Sequence, residues 1–225
     1  MSVRLCSAVF LPAVFLVAVA CGSEPGPPAA PRIVTPAEPV AKGFKVVVLG
    51  DSITAGLGLP VDQAFPAVAE ASLVGEGLAV SIQNAGVSGD TSTAGAARVD
   101  WLLKQSPDVL VVELGGNDLL RGQPVDVTEQ SLRKIVAAGQ QTGAAVVLLG
   151  IAAPTSMGPE HKAAFDAVYG RVAESTGATF VDDFLGPLMD RPELIQGDGL
   201  HPTAQGQKLL AKRLAEVLRP MVPSD

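Results

Sequence analysis

Ser52, Asp198 and His201 are the residues whose types and spacing could do chemistry. A serine hydroxyl attacks an acyl carbon only when a base takes its proton and a third group orients that base. The chain holds two histidines, His161 and His201. His161 lies between Glu160 and Lys162 at the start of a predicted helix, a solvated setting. His201 closes the run Asp198-Gly199-Leu200-His201-Pro202. A tight glycine-containing turn there lets the Asp198 carboxylate hold one imidazole nitrogen and leaves the other for Ser52. A helix-capping turn alone would account for Asp198 and Pro202, but not for the histidine.

The elements that must position these residues can be read along the chain. Val46-Val47-Val48-Leu49 is a continuous apolar run that enters Gly50-Asp51-Ser52. Apolar runs without alternation suit central parallel strands covered on both faces. Gly50 allows a sharp turn at the strand's carboxyl end, with Asp51 or Ser52 as the N-cap of the next helix. Strands are also expected at Leu78–Ile82, Asp108–Leu114, Ala144–Ile151 and Thr179–Val181. Helices are expected at Asp62–Leu73, at Thr93–Lys104, from an Asp126/Glu129 capping box through Ile135 to Ala138, at Pro159–Ser175 and after Pro202. In the second of these, Ala97, Trp101 and Leu102 share one side, and Trp101 reads as packing in the core or a groove. Asp183–Gly197 reads as irregular, with short turns around Pro187 and Pro192.

Five alternations of strand and helix imply an α/β domain, a parallel sheet with helices on both faces and strand order 2-1-3-4-5. In that order strands 1 and 3 meet at the topological switch point, where a crevice opens. Strand 1 brings Ser52 to this rim, strand 2 brings Gly89 and strand 3 brings Asn117. Gly89 and Asn117 each have a plain reading as turn residues. Asp51, Asp90 and Asp118 read as hydrogen-bond partners of loop backbone, and Glu113 requires a partner if buried.

Composition narrows the rest. With 225 residues, 48% hydrophobic and 17% charged, the chain suits one globular domain. A net charge of −7 and a single Trp and Tyr argue against a nucleic-acid partner. Arg4 followed by the apolar Leu5–Ala20 reads as a signal peptide over residues 1–20. Ala18 and Ala20 before Cys21 resemble a bacterial lipoprotein signal, which would lipidate Cys21 and anchor the protein in a membrane; cleavage after the Ala-Val-Ala run would instead release it. Residues 21–42, with six prolines, read as a tether, and residues 43–222 as the folded domain. Cys6 falls in the signal, so the mature chain keeps Cys21 alone, with no internal disulfide and no cysteine for catalysis or metal binding.

Four blocks occur in order: Gly50-Asp51-Ser52, Ser88-Gly89-Asp90-Thr91-Ser92, Gly115-Gly116-Asn117-Asp118 and Asp198-Gly199-Leu200-His201-Pro202. The chain therefore resembles the SGNH, or GDSL, hydrolases from about Lys45 to Val222. Ser88–Ser92, Val112–Asp118 and Leu120-Arg121-Gly122 resemble most the bacterial thioesterase I/lysophospholipase/arylesterase group. The resemblance implies a three-layer, flavodoxin-like α/β/α fold and two-step acyl transfer. Ser52 would be the nucleophile, His201 the base and Asp198 its orienting carboxylate. The oxyanion would be held by the N–H groups of Ser52 and Gly89 and the Asn117 amide. It also implies an acyl groove shaped by Leu119–Pro124, with Leu119 and Leu120 on one wall; Ala152–Met157, including Pro154, is expected opposite. No cofactor or metal is required, and a monomer acting on acyl esters or lysophospholipids outside the cytoplasm is expected. A carbohydrate O-deacetylase of the same family is the alternative enzyme. A non-catalytic lipid- or glycan-binding lipoprotein is the alternative of another class. The Gly-x-Ser-x-Gly elbow of α/β-hydrolases is absent around Ser52.

Overall fold

A computed structural model describes residues 43–223. The signal, the tether and Cys21 fall outside the described residues. Five parallel strands form one sheet in the order β2-β1-β3-β4-β5, as expected: β1 Phe44–Gly50, β2 Val80–Gly86, β3 Val109–Glu113, β4 Ala145–Leu149 and β5 Thr179–Val181. The apolar run of β1 is buried on both sides. Val46 and Val48 pack into one core with α2 (Phe65–Gly75) and α7 (Ala204–Leu218). Val47 and Leu49 pack into the other with α3 (Ser92–Leu103), α5 (Val125–Gln141) and α6 (Pro159–Thr176). Two short helices complete the set, α1 (Ser52–Ala55) and α4 (Gly116–Leu120).

Four local expectations are corrected. β2 runs on through Asn84-Ala85-Gly86, because it pairs along the whole of β1, from Phe44 with Val80 to Gly50 with Gly86. Trp101 is exposed, and α3 buries Gly95, Ala96, Val99 and Leu102 instead, a stripe rotated away from Ala97 and Trp101. The Asp126/Glu129 capping box does not form: Pro124 is the N-cap of α5, and Glu129 pairs with Arg133 and Arg171. Pro202 is not the first helical residue; it bridges to Ile195, and Thr203 caps α7 by accepting from the Gly206 N–H. Asp183–Gly197 is irregular as expected, with single 3₁₀ turns at Gly186–Leu188 and Pro192–Leu194, around the two prolines.

Ser52 depends on a close approach of backbone to backbone. Gly50 and Gly86 lie side by side in register at the ends of β1 and β2, and α1 sits on them. A Cβ on Gly50 would overlap the Thr54 side chain, and one on Gly86 would overlap the backbone nitrogen of Ala55. Neither obstacle is the far end of a flexible side chain. Gly86→Ala is therefore expected to cost about 1–3 kcal/mol by overpacking. Gly75→Ala, at the open end of α2 with nothing near its Cβ, should be neutral or stabilising by up to about 1 kcal/mol. Thermal or urea melts of the two variants check the contrast.

Candidate active site

All four sequence blocks arrive at the carboxyl edge of the sheet. Asp51 caps α1 by accepting from the Ile53 N–H at 2.9 Å, which fixes Ser52 as the first helical residue. Ser52 Oγ lies 2.8 Å from His201 Nε2, and His201 Nδ1 lies 2.6 Å from Asp198 Oδ2. Asp198 Oδ1 accepts from the N–H groups of Leu200 and His201, so the turn aims its own carboxylate. Of the two histidines, His201 is the one on Ser52. His161 stands in the first turn of α6.

Two glutamines that sequence reasoning missed hold this geometry. Gln207 on α7 is buried; its Oε1 accepts from the Phe65 N–H at 2.8 Å and its Nε2 donates to the Ile53 carbonyl at 2.9 Å. Gln196 donates from Nε2 to the carbonyls of Leu57 and Pro202, tying the loop after α1 to the histidine turn. A polar residue within the apolar spacing of α7 was the available signal for Gln207. Gln196 gave none, since it lies in an irregular loop.

Asn117 sits on α4 and donates from Nδ2 to Asp51 Oδ2 at 3.0 Å. Gly89 has φ of +87°, a conformation open to glycine, and its carbonyl accepts from Arg121. Asp90 pairs with Arg98, which also donates to the Gly50 carbonyl and so fastens the Gly89 loop to the end of β1. Asp118 is buried and accepts from the N–H and hydroxyl of Ser92, from Gln123 and from Thr128. Asp90 and Asp118 thus serve loops, Asp90 through a side-chain pair and Asp118 through both backbone and side chains.

A cavity of about 630 Å³ opens beside Ser52. Leu119, Leu120 and Pro154 all line it, together with Ala152 and Met157 of the expected opposite wall. The sequence held no sign of its third side, which comes from the irregular segment through Leu185, Leu188, Met189 and Ile195. Leu120, Met189 and Leu200 stand exposed at its rim.

The carboxyl groups of the site titrate in opposite directions. Asp198 is held down at about 2, chiefly by the His201 N–H, then by the His201 side chain and the Leu200 N–H. It stays ionised wherever an imidazole changes charge. Asp51 is pushed up to about 6 by burial, against the opposing hydrogen bonds from Ile53 and Asn117.

The family described as GDSL-like Lipase/Acylhydrolase matches residues 48–209, most of the folded domain. The chain belongs to this family. Within it the chain is 38% identical to "Esterase TesA" of Pseudomonas aeruginosa over 79% of this chain and 89% of that protein. It is 36% identical to "Thioesterase 1/protease 1/lysophospholipase L1" of Escherichia coli K12 over 80% and 86%. Among solved structures, the crystal structure of TesA superposes with a TM-score of 0.76 at 38% identity, covering 79% of this chain and 99% of that one. These GDSL/SGNH matches agree with the four sequence blocks and with the strand order.

Burial of Asp51 couples folding to pH. Its carboxyl binds a proton more tightly in the folded state than in the unfolded chain, so it favours folding below the unfolded value near 3.8. That contribution is lost as pH rises through about 6, where burying the charge begins to cost. Asp51→Asn, which cannot ionise, should therefore melt progressively better relative to wild type between about pH 4.5 and about pH 8. Paired melting curves across that range test this.

Proposed function

We propose that the chain is a serine esterase or thioesterase that cleaves acyl esters through a covalent acyl-enzyme. The observation that carries the reading is the continuous contact from Asp198 through His201 to Ser52, at 2.6 and 2.8 Å. Asp198 accepts the Nδ1–H of His201 and so fixes the tautomer whose Nε2 faces Ser52. His201 takes the hydroxyl proton as Ser52 Oγ attacks the acyl carbon. The imidazolium formed is stabilised by Asp198 and gives its proton to the leaving alcohol or thiol. Water, activated by the same imidazole, then attacks the acyl-enzyme and frees the acid and Ser52. The N–H groups of Ser52 and Gly89 and the Asn117 amide hold the oxyanion, each such donor being worth about 10²–10³ in rate. No step requires a cofactor.

The apolar cavity supports a lipid-like acyl group, and the names carried by the relatives support carboxylic and thioester substrates: esterase for one, thioesterase and lysophospholipase for the other. An exported, envelope-anchored enzyme acting on lysophospholipids or medium-chain esters, through the signal and Cys21, is the cellular setting this reading favours. Arg4 and the apolar Leu5–Ala20 support it.

The experiment is hydrolysis of p-nitrophenyl esters from acetate to palmitate. Ser52→Ala should abolish turnover, and Asp198→Asn should lower kcat by about 10²–10⁴, with the wrong group facing Nδ1. Full activity in Ser52→Ala overturns the reading, and a preference for acetylated glycans over all simple esters would favour the deacetylase. Leu120→Asp places a charge on the apolar rim and should reduce kcat/KM for octanoate by about 5- to 30-fold while leaving acetate nearly unchanged, the loss of roughly 1–2 kcal/mol of acyl burial. Equal losses for both esters would remove Leu120 from the acyl groove.

A further inference from the structure

Glu113 is the one fully buried glutamate of the described residues, and the mechanism above leaves it unused. It is the last residue of β3, paired in register with Gly50, and so stands directly behind the turn that carries Asp51 and Ser52. Its Oε2 accepts from the Thr54 hydroxyl at 2.7 Å. Its Oε1 is buried and makes no hydrogen bond, although the N–H groups of Asp51 and Thr54 lie near enough to act weakly on the carboxyl. The carboxyl of Asp51 lies within hydrogen-bond reach of Glu113. Both lone-pair directions of Asp51 toward the site are already engaged, Oδ1 by the Ile53 N–H and Oδ2 by Asn117 Nδ2.

Two carboxyl groups in contact away from water cannot both be charged without a cation between them. The charged and titratable groups near this pair supply none. Asp118 on α4 and Asp166 on α6 are acidic, and Tyr169 on α6 spends its hydroxyl on the Leu114 carbonyl. Arg98 donates to the Gly50 carbonyl but is paired with Asp90. His201 faces the pair across Asp51 and is engaged by Ser52 and Asp198. One proton must therefore be held between the two acids. Asp51, which accepts two N–H bonds, is the better place for the negative charge; burial and that charge outweigh the weak pull of the Asp51 and Thr54 N–H groups on Glu113, so Glu113, whose Oε1 makes no hydrogen bond, is the place for the proton. Burial and the charge of Asp51 both act to keep Glu113 neutral, raising its carboxyl well above the usual range.

We propose that Glu113 is a positioning residue of the oxyanion site: as a neutral acid it donates its proton to the Asp51 carboxylate and, through Asp51, holds the Asn117 amide where the acyl oxygen develops charge. The chain of contacts is Thr54 hydroxyl to Glu113, Glu113 to Asp51, and Asn117 amide to Asp51. It rests on the acyl-transfer reading above, because it assigns Asn117 to the oxyanion. It explains why an ionisable side chain occupies the end of a strand whose other four residues are buried and apolar.

Two variants and one spectrum test it. In Glu113→Gln the amide oxygen can accept from Thr54 and the NH₂ can donate to Asp51, so kcat on p-nitrophenyl butyrate should stay within about threefold of wild type. In Glu113→Leu the donor is lost and Asn117 is released, and kcat should fall by about 10- to 100-fold with KM little changed. Infrared difference spectra in D₂O at about pH 8 should show the C=O stretch of a protonated carboxyl in wild type and not in Glu113→Gln. The readout does not require Glu113→Leu to fold well, since the spectrum and the glutamine rescue stand without it. A wild type without the protonated-carboxyl band, or a glutamine variant losing kcat as badly as a folded leucine variant, overturns the proposal. Failure of the serine-hydrolase reading is separate: it would show as Ser52→Ala retaining activity, whatever Glu113 does.

Discussion

Two side chains 149 residues apart in sequence, Ser52 and His201, must hold their hydroxyl and imidazole 2.8 Å from each other. Most of what surrounds the site can be understood as meeting that constraint. The serine side is fixed by the seat of α1 on two bare glycines and by Asp51 capping the helix. The histidine side is fixed by the bridge between Ile195 and Pro202 and by Thr203 capping α7. Gln207 and Gln196 then tie one side to the other through backbone carbonyls and N–H groups. Backbone is the stiffest available attachment, and an error of about 1 Å in such a contact is enough to cost about 10²-fold in rate.

The same edge of the sheet holds carboxyl groups under opposite electrostatic conditions. Asp198 is half exposed and collects backbone N–H bonds, which suits a group that must remain an anion beside an imidazolium. Asp51 and Glu113 are buried against each other, where a single shared charge is what the surroundings tolerate. Environment, rather than residue type, separates the orienting carboxylate from the pair beneath Asn117.

The strand order and the meeting of Ser52, His201 and Asp198 were legible in the sequence because each rests on strong local signals. Unbroken apolar runs identify buried parallel strands, and with two histidines in the chain the choice of base was nearly forced. Trp101 misled because a helical stripe is defined only to within a residue or so. The small residues Gly95 and Ala96, not the large aromatic, are buried, and a Cβ on Gly95 would overlap the Leu114 side chain. The extent of β2 was hidden because Asn84 and Gly86 look like turn residues; pairing with β1 overrides their local preference, and Asn84 spends its side chain on the Thr54 carbonyl. The partner of Glu113 and the third wall of the cavity could not be read, since both come from tertiary approach between segments with no shared spacing.

Whether Ser52 becomes the acyl carrier is tested most directly by covalent trapping. Incubation with a p-nitrophenyl alkylphosphonate should release one equivalent of p-nitrophenolate per chain. Intact mass should rise by one alkylphosphonyl group, and peptide mapping should place that group on Ser52, with Asp198→Asn reacting far more slowly. An enzyme that hydrolyses esters yet takes up no phosphonate, or carries it on a residue other than Ser52, would contradict the assignment of Ser52 as nucleophile.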